Sequence, residues 1–412
     1  MMRIKNYLDN LLSDPIDQTY LFISDSLYIN LEINLIYFIY YFYFKAKPLI
    51  FLEYKTSSKM INFLIPRVRI LRVAQLTIKY LISKYSYYKD KKSFRTITTK
   101  YNGHSLLVTR LGEYKIINFK TKEVTTIFPE IMSRNEIEKN ILNKINVQNC
   151  SLAPKVLKWD INSRYLIESY INFKPINIEY KNFNSLKIDV IPLISEIISS
   201  ANTKIINLNQ YSQKLINLIE GLIEKHSIDS IYFKKENSII IEFFGGIKNK
   251  LKIYSSDIDI VWALSHGDFW EGNILKNKTK SYVIDWNTHD MRSCYFDFYD
   301  ILFEIAFKIF NSKKKIITSE MEDTINYFQN YLMVNMNSNS TLKADTLNHS
   351  DIYRFLFYLE VTLLKLKEYP ENNHLIQLGK FIGFFKMYES ALEKEHTLFK
   401  DNNCSNSFSL ET

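Results

Sequence analysis

One ten-residue stretch constrains this chain more than any other. Residues 266–275 read HGDFWEGNIL, and IDW follows at 284–286. The apolar run DIVWALS, 259–265, leads into it as a strand. NILK and SYVID then flank the polar turn Asn277-Lys278-Thr279-Lys280 as a hairpin. This pattern puts Asp268 on a loop, Asn273 five residues later, and Asp285 at a strand end. Phosphoryl transfer from a nucleotide asks for such a set. One carboxylate must reach the acceptor hydroxyl, while an amide oxygen and a second carboxylate hold magnesium against the phosphates. The chemistry is mostly positioning and charge neutralisation. Asp268 is the candidate acceptor of the hydroxyl proton. Asn273 and Asp285 are the candidate metal residues, and His266 braces the loop by hydrogen bonds.

The rest of the composition sets bounds. The 412 residues can hold two or three domains, and the 24% charged content is not that of a disordered chain. Only nine residues are glycine, and two of them, Gly267 and Gly272, lie in the motif. The cysteines Cys150, Cys294 and Cys404 are far apart, with no metal-ligand or disulfide pattern. Asp9, Asp14 and Asp17 interrupt any apolar leader. A cytoplasmic setting is the expectation, with the inner face of the membrane as a further place of contact.

The net charge of +9 is unevenly spread. Residues 1–95 carry 15 basic and 7 acidic side chains, and within them 45–95 hold 13 basic and 2 acidic. The remainder is close to neutral, so no nucleic-acid partner is expected. The chain divides into four regions. Residues 1–95 form a basic and aromatic N-terminal extension. Residues 96–175 are rich in strands, with one helix opened by Ser133. Residues 176–400 are mainly helical around the motif, and 401–412 are a polar, disordered tail.

In the extension, NLIYFIYYFYF at 34–44 is too short to span a bilayer and suits a buried strand or core helix. Residues 67–85, RVRILRVAQLTIKYLISKY, read as a helix with basic residues at helical spacing. The plainer reading packs this helix on its own domain. The sharper one lays the basic segment 45–95 on an anionic membrane.

HGDFWEGNIL, the VIDW after it and the downstream YFDFYDILFE resemble the aminoglycoside phosphotransferase and choline kinase family. The resemblance implies an α+β, protein-kinase-like two-lobe fold, with a strand-rich N-lobe, a mainly helical C-lobe and here an extra N-terminal segment. It implies ATP and Mg2+ as cofactors and a small-molecule hydroxyl acceptor, such as a sugar, an amino alcohol or an aminoglycoside-like compound. By the same resemblance Asp297 ties down the catalytic loop, and the backbone near Glu168–Tyr170 meets the adenine. Glu138 takes the place of a glutamate that pairs with a strand lysine. The family lysine falls near Thr126, where this chain has threonine, and Lys115 and Lys122 are the neighbouring candidates to replace it.

Two other functions compete. A catalytically weak, pseudokinase-like binding module would explain Thr126 and the missing phosphate-loop glycines. A kinase acting on a membrane-associated lipid or polysaccharide precursor would explain the basic N-terminal segment. For Trp270 and Trp286 core packing is the simpler reading. Asp300, Glu304, Tyr295 and Tyr299 fit either a cationic acceptor or a packed helix face.

Overall fold

The computed structural model describes residues 17–24, 26–49, 52, 65–92, 94–109, 112–176, 178, 183–229, 233–254, 257–313, 315–336, 344–367 and 378–394. The tail 401–412 lies outside the described residues. Two compact units emerge: Met1–Asn177 with Glu271–Asn287, and Ile178–Trp270 with Thr288–Thr412.

The first unit is built on strands β1 (Gln18–Ser24), β2 (Leu27–Asn30), β3 (Thr96–Thr99), β4 (Ser105–Val108), β5 (Tyr114–Asn118), β6 (Glu123–Ile127), β7 (Val156–Asp160) and β8 (Tyr165–Ser169). They form one sheet in the order β3-β1-β2-β4-β5-β6-β8-β7, with every neighbour antiparallel. Alternation along the strands divides their apolar residues between two faces. Tyr20, Tyr28, Leu106 and Ile116 pack together, while Leu21, Ile29 and Ile117 belong to a second cluster.

That second cluster is closed by the N-terminal helices. Helix α1 (Leu35–Tyr40) is capped by the Asn34 side chain and runs on as a π-helical turn, Tyr41–Lys45. Helix α2 spans Ile65–Lys89. Phe38 stacks on Tyr80 and on Phe42, with ring centroids 5.0 and 4.7 Å apart. Arg69 is buried but satisfied, donating to the Phe42 and Tyr43 carbonyls at 2.8 and 2.9 Å. The aromatic run 34–44 is thus helical. The first 95 residues are not a separate extension: β1 and β2 occupy the middle of the sheet, between β3 and β4.

Helix α3 (Arg134–Asn146) opens with a capping box in which Ser133 and Glu136 bond reciprocally. It buries Ile137 and Ile141 against Phe128 and Leu166. Strand β9 (Lys174–Pro175) pairs with β12 (Ile274–Lys276), which pairs in turn with β13 (Ser281–Val283). Bonds from Ile176 N to Ile274 O and from Val283 N to Leu152 O add to this pairing. The hairpin after the motif therefore belongs to the first unit rather than to the helical region.

The second unit carries a three-stranded sheet, β10 (Lys204–Asn207), β11 (Asp259–Ser265) and β14 (Asp290–Ser293), with β11 central. Its helices are α4 (Ile191–Ser199), α5 (Leu208–Asp229), α6 (Phe233–Lys252), α7 (Phe296–Lys313), α8 (Thr318–Met336), α9 (Ser350–Lys367) and α10, residues 378–394. Aromatic stacking holds them: Tyr295 on Tyr353 at 4.4 Å, Phe298 on Phe328 at 4.1 Å, and Tyr358 on Phe385 at 4.5 Å. The expected combination of a strand-rich first part and a helical second part is the one observed. No helix among the described residues is long and apolar enough to cross a membrane.

Candidate active site

The sequence-predicted residues fall in both units. Asn273 and Asp285 belong to the first, and His266, Asp268 and Asp297 to the second.

In the first unit the hairpin brings Asn273 and Asp285 to the same end. Asn273 precedes β12 and Asp285 follows β13 by one residue, and the Ile284 amide donates to Asn273 O at 2.9 Å. Asn273 is buried. Asp285 holds a left-handed backbone at φ 66°, a conformation uncommon for a residue with a Cβ. Such strain persists only where the surroundings fix it. Here the Lys115 ammonium meets Asp285 Oδ1 at 2.9 Å, and Asn287 Nδ2 donates to the same oxygen at 2.8 Å.

Lys115 is the cation that takes the place of the lysine absent at Thr126. It sits on β5 directly opposite Thr126 on β6. Opposed residues of an antiparallel pair project from the same face. The lysine missing from one strand is therefore presented by its neighbour. Burial pulls the Lys115 ammonium down, but Asp285, Glu113 and Glu168 more than reverse this and leave it above its ordinary value. Burial pushes the Glu113 carboxyl up, against the pull of Lys115. Lys122, the other candidate, lies in the β5–β6 turn at φ 60°, where its carbonyl accepts from the Tyr170 amide at 2.8 Å.

Glu138 lies exposed on α3. The helix instead turns Lys144 inward, where it meets Glu168 at 3.3 Å. Tyr170 is buried, and its hydroxyl donates to Lys45 O at 2.6 Å. Sequence reasoning passed over Lys144 and Glu113; their signal was a basic and an acidic residue at apolar-phased positions.

In the second unit the loop after β11 is tied down amide by amide. Asp297 Oδ2 accepts from the His266 amide at 2.6 Å, and its Oδ1 accepts from the Gly267 amide at 2.9 Å. The Asp268 amide donates to His266 Nδ1 at 3.3 Å, and the Phe269 amide to Asp300 Oδ2 at 3.2 Å. Four consecutive N–H groups are thus satisfied, two of them by a carboxylate in the first turn of α7. Asp268 itself is left half-buried. Gly267 sits at φ 85°, and a Cβ there would run into the Thr288 carbonyl oxygen. Arg292 reinforces the corner by donating to Ser265 Oγ at 2.6 Å and to Thr288 O at 2.7 Å.

Burial pushes the Asp297 carboxyl up to about 6, against the pull of the Gly267 and His266 amides. Burial also pushes Asp300 well above the usual carboxylate range; Lys365 opposes this, and the Asp268, Glu304 and Asp297 charges add to it. Packing accounts for Tyr295 and Tyr299, both fully buried, whose hydroxyls donate to Leu347 O and Ser350 O. Glu304 is paired with Lys308 at 2.6 Å. Trp286 is core, with Nε1 donating to Val283 O at 2.7 Å.

The fold is similar to that of solved choline kinases and aminoglycoside phosphotransferases. Choline kinase LicA from Streptococcus pneumoniae is 15% identical, over 68% of this chain and 89% of that one, with a TM-score of 0.40. Choline kinase from Cryptosporidium parvum Iowa II is 13% identical, over 69% and 87%, with a TM-score of 0.45. Aminoglycoside phosphotransferase APH(2'')-Ib, bound to ADP, is 16% identical, over 63% and 93%, with a TM-score of 0.36. No family model matches the chain, and no curated protein does.

Among the described residues no group of three or more His, Cys, Asp or Glu side chains could hold a metal alone. Asn273 and Asp285 nonetheless offer an amide oxygen and a carboxylate. Magnesium commonly takes one or two such protein oxygens beside substrate phosphates and water, so the donor set fits it.

Proposed function

We propose that this protein is a phosphotransferase that moves the γ-phosphoryl group of ATP to a hydroxyl of a small molecule. The observation that carries the reading is the Lys115–Asp285 pair, 2.9 Å apart at the end of the hairpin. It unites a cation suited to phosphate with a carboxylate suited to magnesium.

Each residue has a part. Asp268 accepts the proton of the acceptor hydroxyl as the new P–O bond forms. Its loop is held by Asp297 and His266, so little reorganisation is needed during the reaction. Asn273 and Asp285 would hold magnesium, which when bound neutralises phosphate charge. Lys115 places a positive charge beside the phosphates, the part that a lysine at Thr126 would otherwise play. The segment from Glu168 to Tyr170 carries the nucleotide base. Glu138, exposed on α3, has no part in the reaction.

The acceptor class is a small hydroxyl compound. The test is transfer of labelled γ-phosphate from ATP with magnesium to pooled amino alcohols, amino sugars and aminoglycosides. Labelled product that disappears in Asp268→Asn supports the reading. A pool left unlabelled by a folded protein that also gives no thermal shift with MgATP removes it.

A further inference from the structure

Helix α2 is apolar on two opposite faces. Val73, Leu76 and Tyr80 point inward and are buried with the N-terminal core. Leu71, Ile78, Leu81, Ile82, Tyr85 and Tyr88 recur at three- and four-residue spacing on the outer side, and all are exposed. Leu71 is 68% accessible, Ile82 61% and Tyr85 72%. A helix apolar all round is normally covered on both sides. Large exposed stripes of this kind mark interaction surfaces.

Charge decides between occupants. From Ile65 to Lys89 the helix carries six basic residues, Arg67, Arg69, Arg72, Lys79, Lys84 and Lys89, and no acidic one. Lys91 and Lys92 come next, both exposed. Arg72 and Lys79 each stand one residue after a stripe position, along its edge. Two-fold pairing of this face with a second copy would bring cations toward cations, with no acidic side chain on either helix to answer them. An anionic lipid surface meets both needs: its acyl boundary takes the aliphatic side chains, and its headgroups take the cations. Tyr85 and Tyr88 suit the headgroup level, where tyrosine is enriched.

We infer that the outer face of α2 docks the protein on anionic membranes as a peripheral contact. Its support lies wholly in α2, so it stands apart from the phosphotransfer reading. The helix lies in the plane of the surface, with Ile78 and Ile82 at the depth of the acyl boundary.

The test is sedimentation of the full-length protein with vesicles of phosphatidylcholine alone and with roughly 30% phosphatidylglycerol, enough anionic lipid to set up a negative surface potential. The expected result is binding to the anionic vesicles only, weakened at least about tenfold between roughly 50 and 500 mM salt, as screening predicts. Ile78→Ser with Ile82→Ser should weaken it at least about tenfold, through lost apolar contact with the acyl boundary. The thermal midpoint should stay unchanged, because both side chains already face solvent. Lys79→Glu, a change outside the apolar stripe, should weaken it severalfold. Absence of binding by the wild type overturns the inference, as does equal binding to neutral vesicles. A concentration-dependent dimer in sedimentation equilibrium that the double variant abolishes would give the face to a second copy instead.

Discussion

The Lys115 ammonium stands 2.9 Å from Asp285 Oδ1, joining β5 to the residue after the β12–β13 hairpin, 170 positions along the chain. Its strand position, opposite Thr126, makes it the cation of this site. Lys115→Met should lower kcat/KM for ATP by about 100-fold, the scale of removing one charge-stabilising group. The stability cost should be only about 1 kcal/mol, because both partners keep some contact with solvent. Moving the charge back across the pair, with Lys115→Thr and Thr126→Lys together, should recover part of the nucleotide affinity. Steady-state kinetics and thermal titration with MgATP read both effects.

Asp297 holds two backbone amides of the loop. Asp297→Ala orphans both in a buried place and should cost about 3 kcal/mol, by the usual penalty for stranded donors. Asp297→Asn keeps one acceptor and should lose about half as much. Urea denaturation gives the ranking. Equal stability of all three forms would remove Asp297 from its bracing role.

Gly267 has no room for a side chain and a backbone that favours glycine. Gly267→Ala should cost roughly 2 kcal/mol or more, from the left-handed backbone together with the collision at Thr288 O. Loop distortion should lower kcat more than it raises KM. An alanine variant with wild-type kcat and thermal midpoint would contradict this.

His104 gives a pH dependence. Burial, aided by Lys120, pushes its imidazole down to about 4, from 6.5 in the unfolded chain. Its Nδ1 accepts from the Phe119 amide at 3.1 Å, so the neutral form is the folded one. A depressed folded value means the contribution is complete above about pH 6.5 and is lost as pH falls toward about 4. By linkage it amounts to at most about 3 kcal/mol. His104→Asn keeps an acceptor and does not titrate. The stability gap between wild type and variant, measured in urea, should therefore shrink between about pH 7.5 and about pH 4.5, the range in which the imidazole gains its proton on unfolding.

What the sequence made legible was local. The motif, its strand and hairpin, and the downstream Asp297 are close in the chain and come from apolar patterning and turn residues. Lys115 was not decided by that pattern. Which residue faces Thr126 depends on the β5–β6 register, which runs through a turn where Lys122 adopts φ 60°. Glu138 shows a failure of helix phase. Ile137 and Ile141 set the inward face of α3, so its neighbour Glu138 points out and Lys144, seven residues after Ile137, points in. The N-terminal region was misread as separate because β2 finds β4 across some 75 intervening residues, through pairing that no local signal announces.

The most direct measurement is single-turnover transfer from labelled ATP to the pooled hydroxyl compounds, comparing wild type with Asp268→Asn. Proton acceptance by Asp268 predicts labelled product from the wild type and similar MgATP binding by both forms. Product formation in the variant should be about a thousandfold slower, by loss of the positioned base. Turnover of Asp268→Asn within a few fold of wild type would contradict that role.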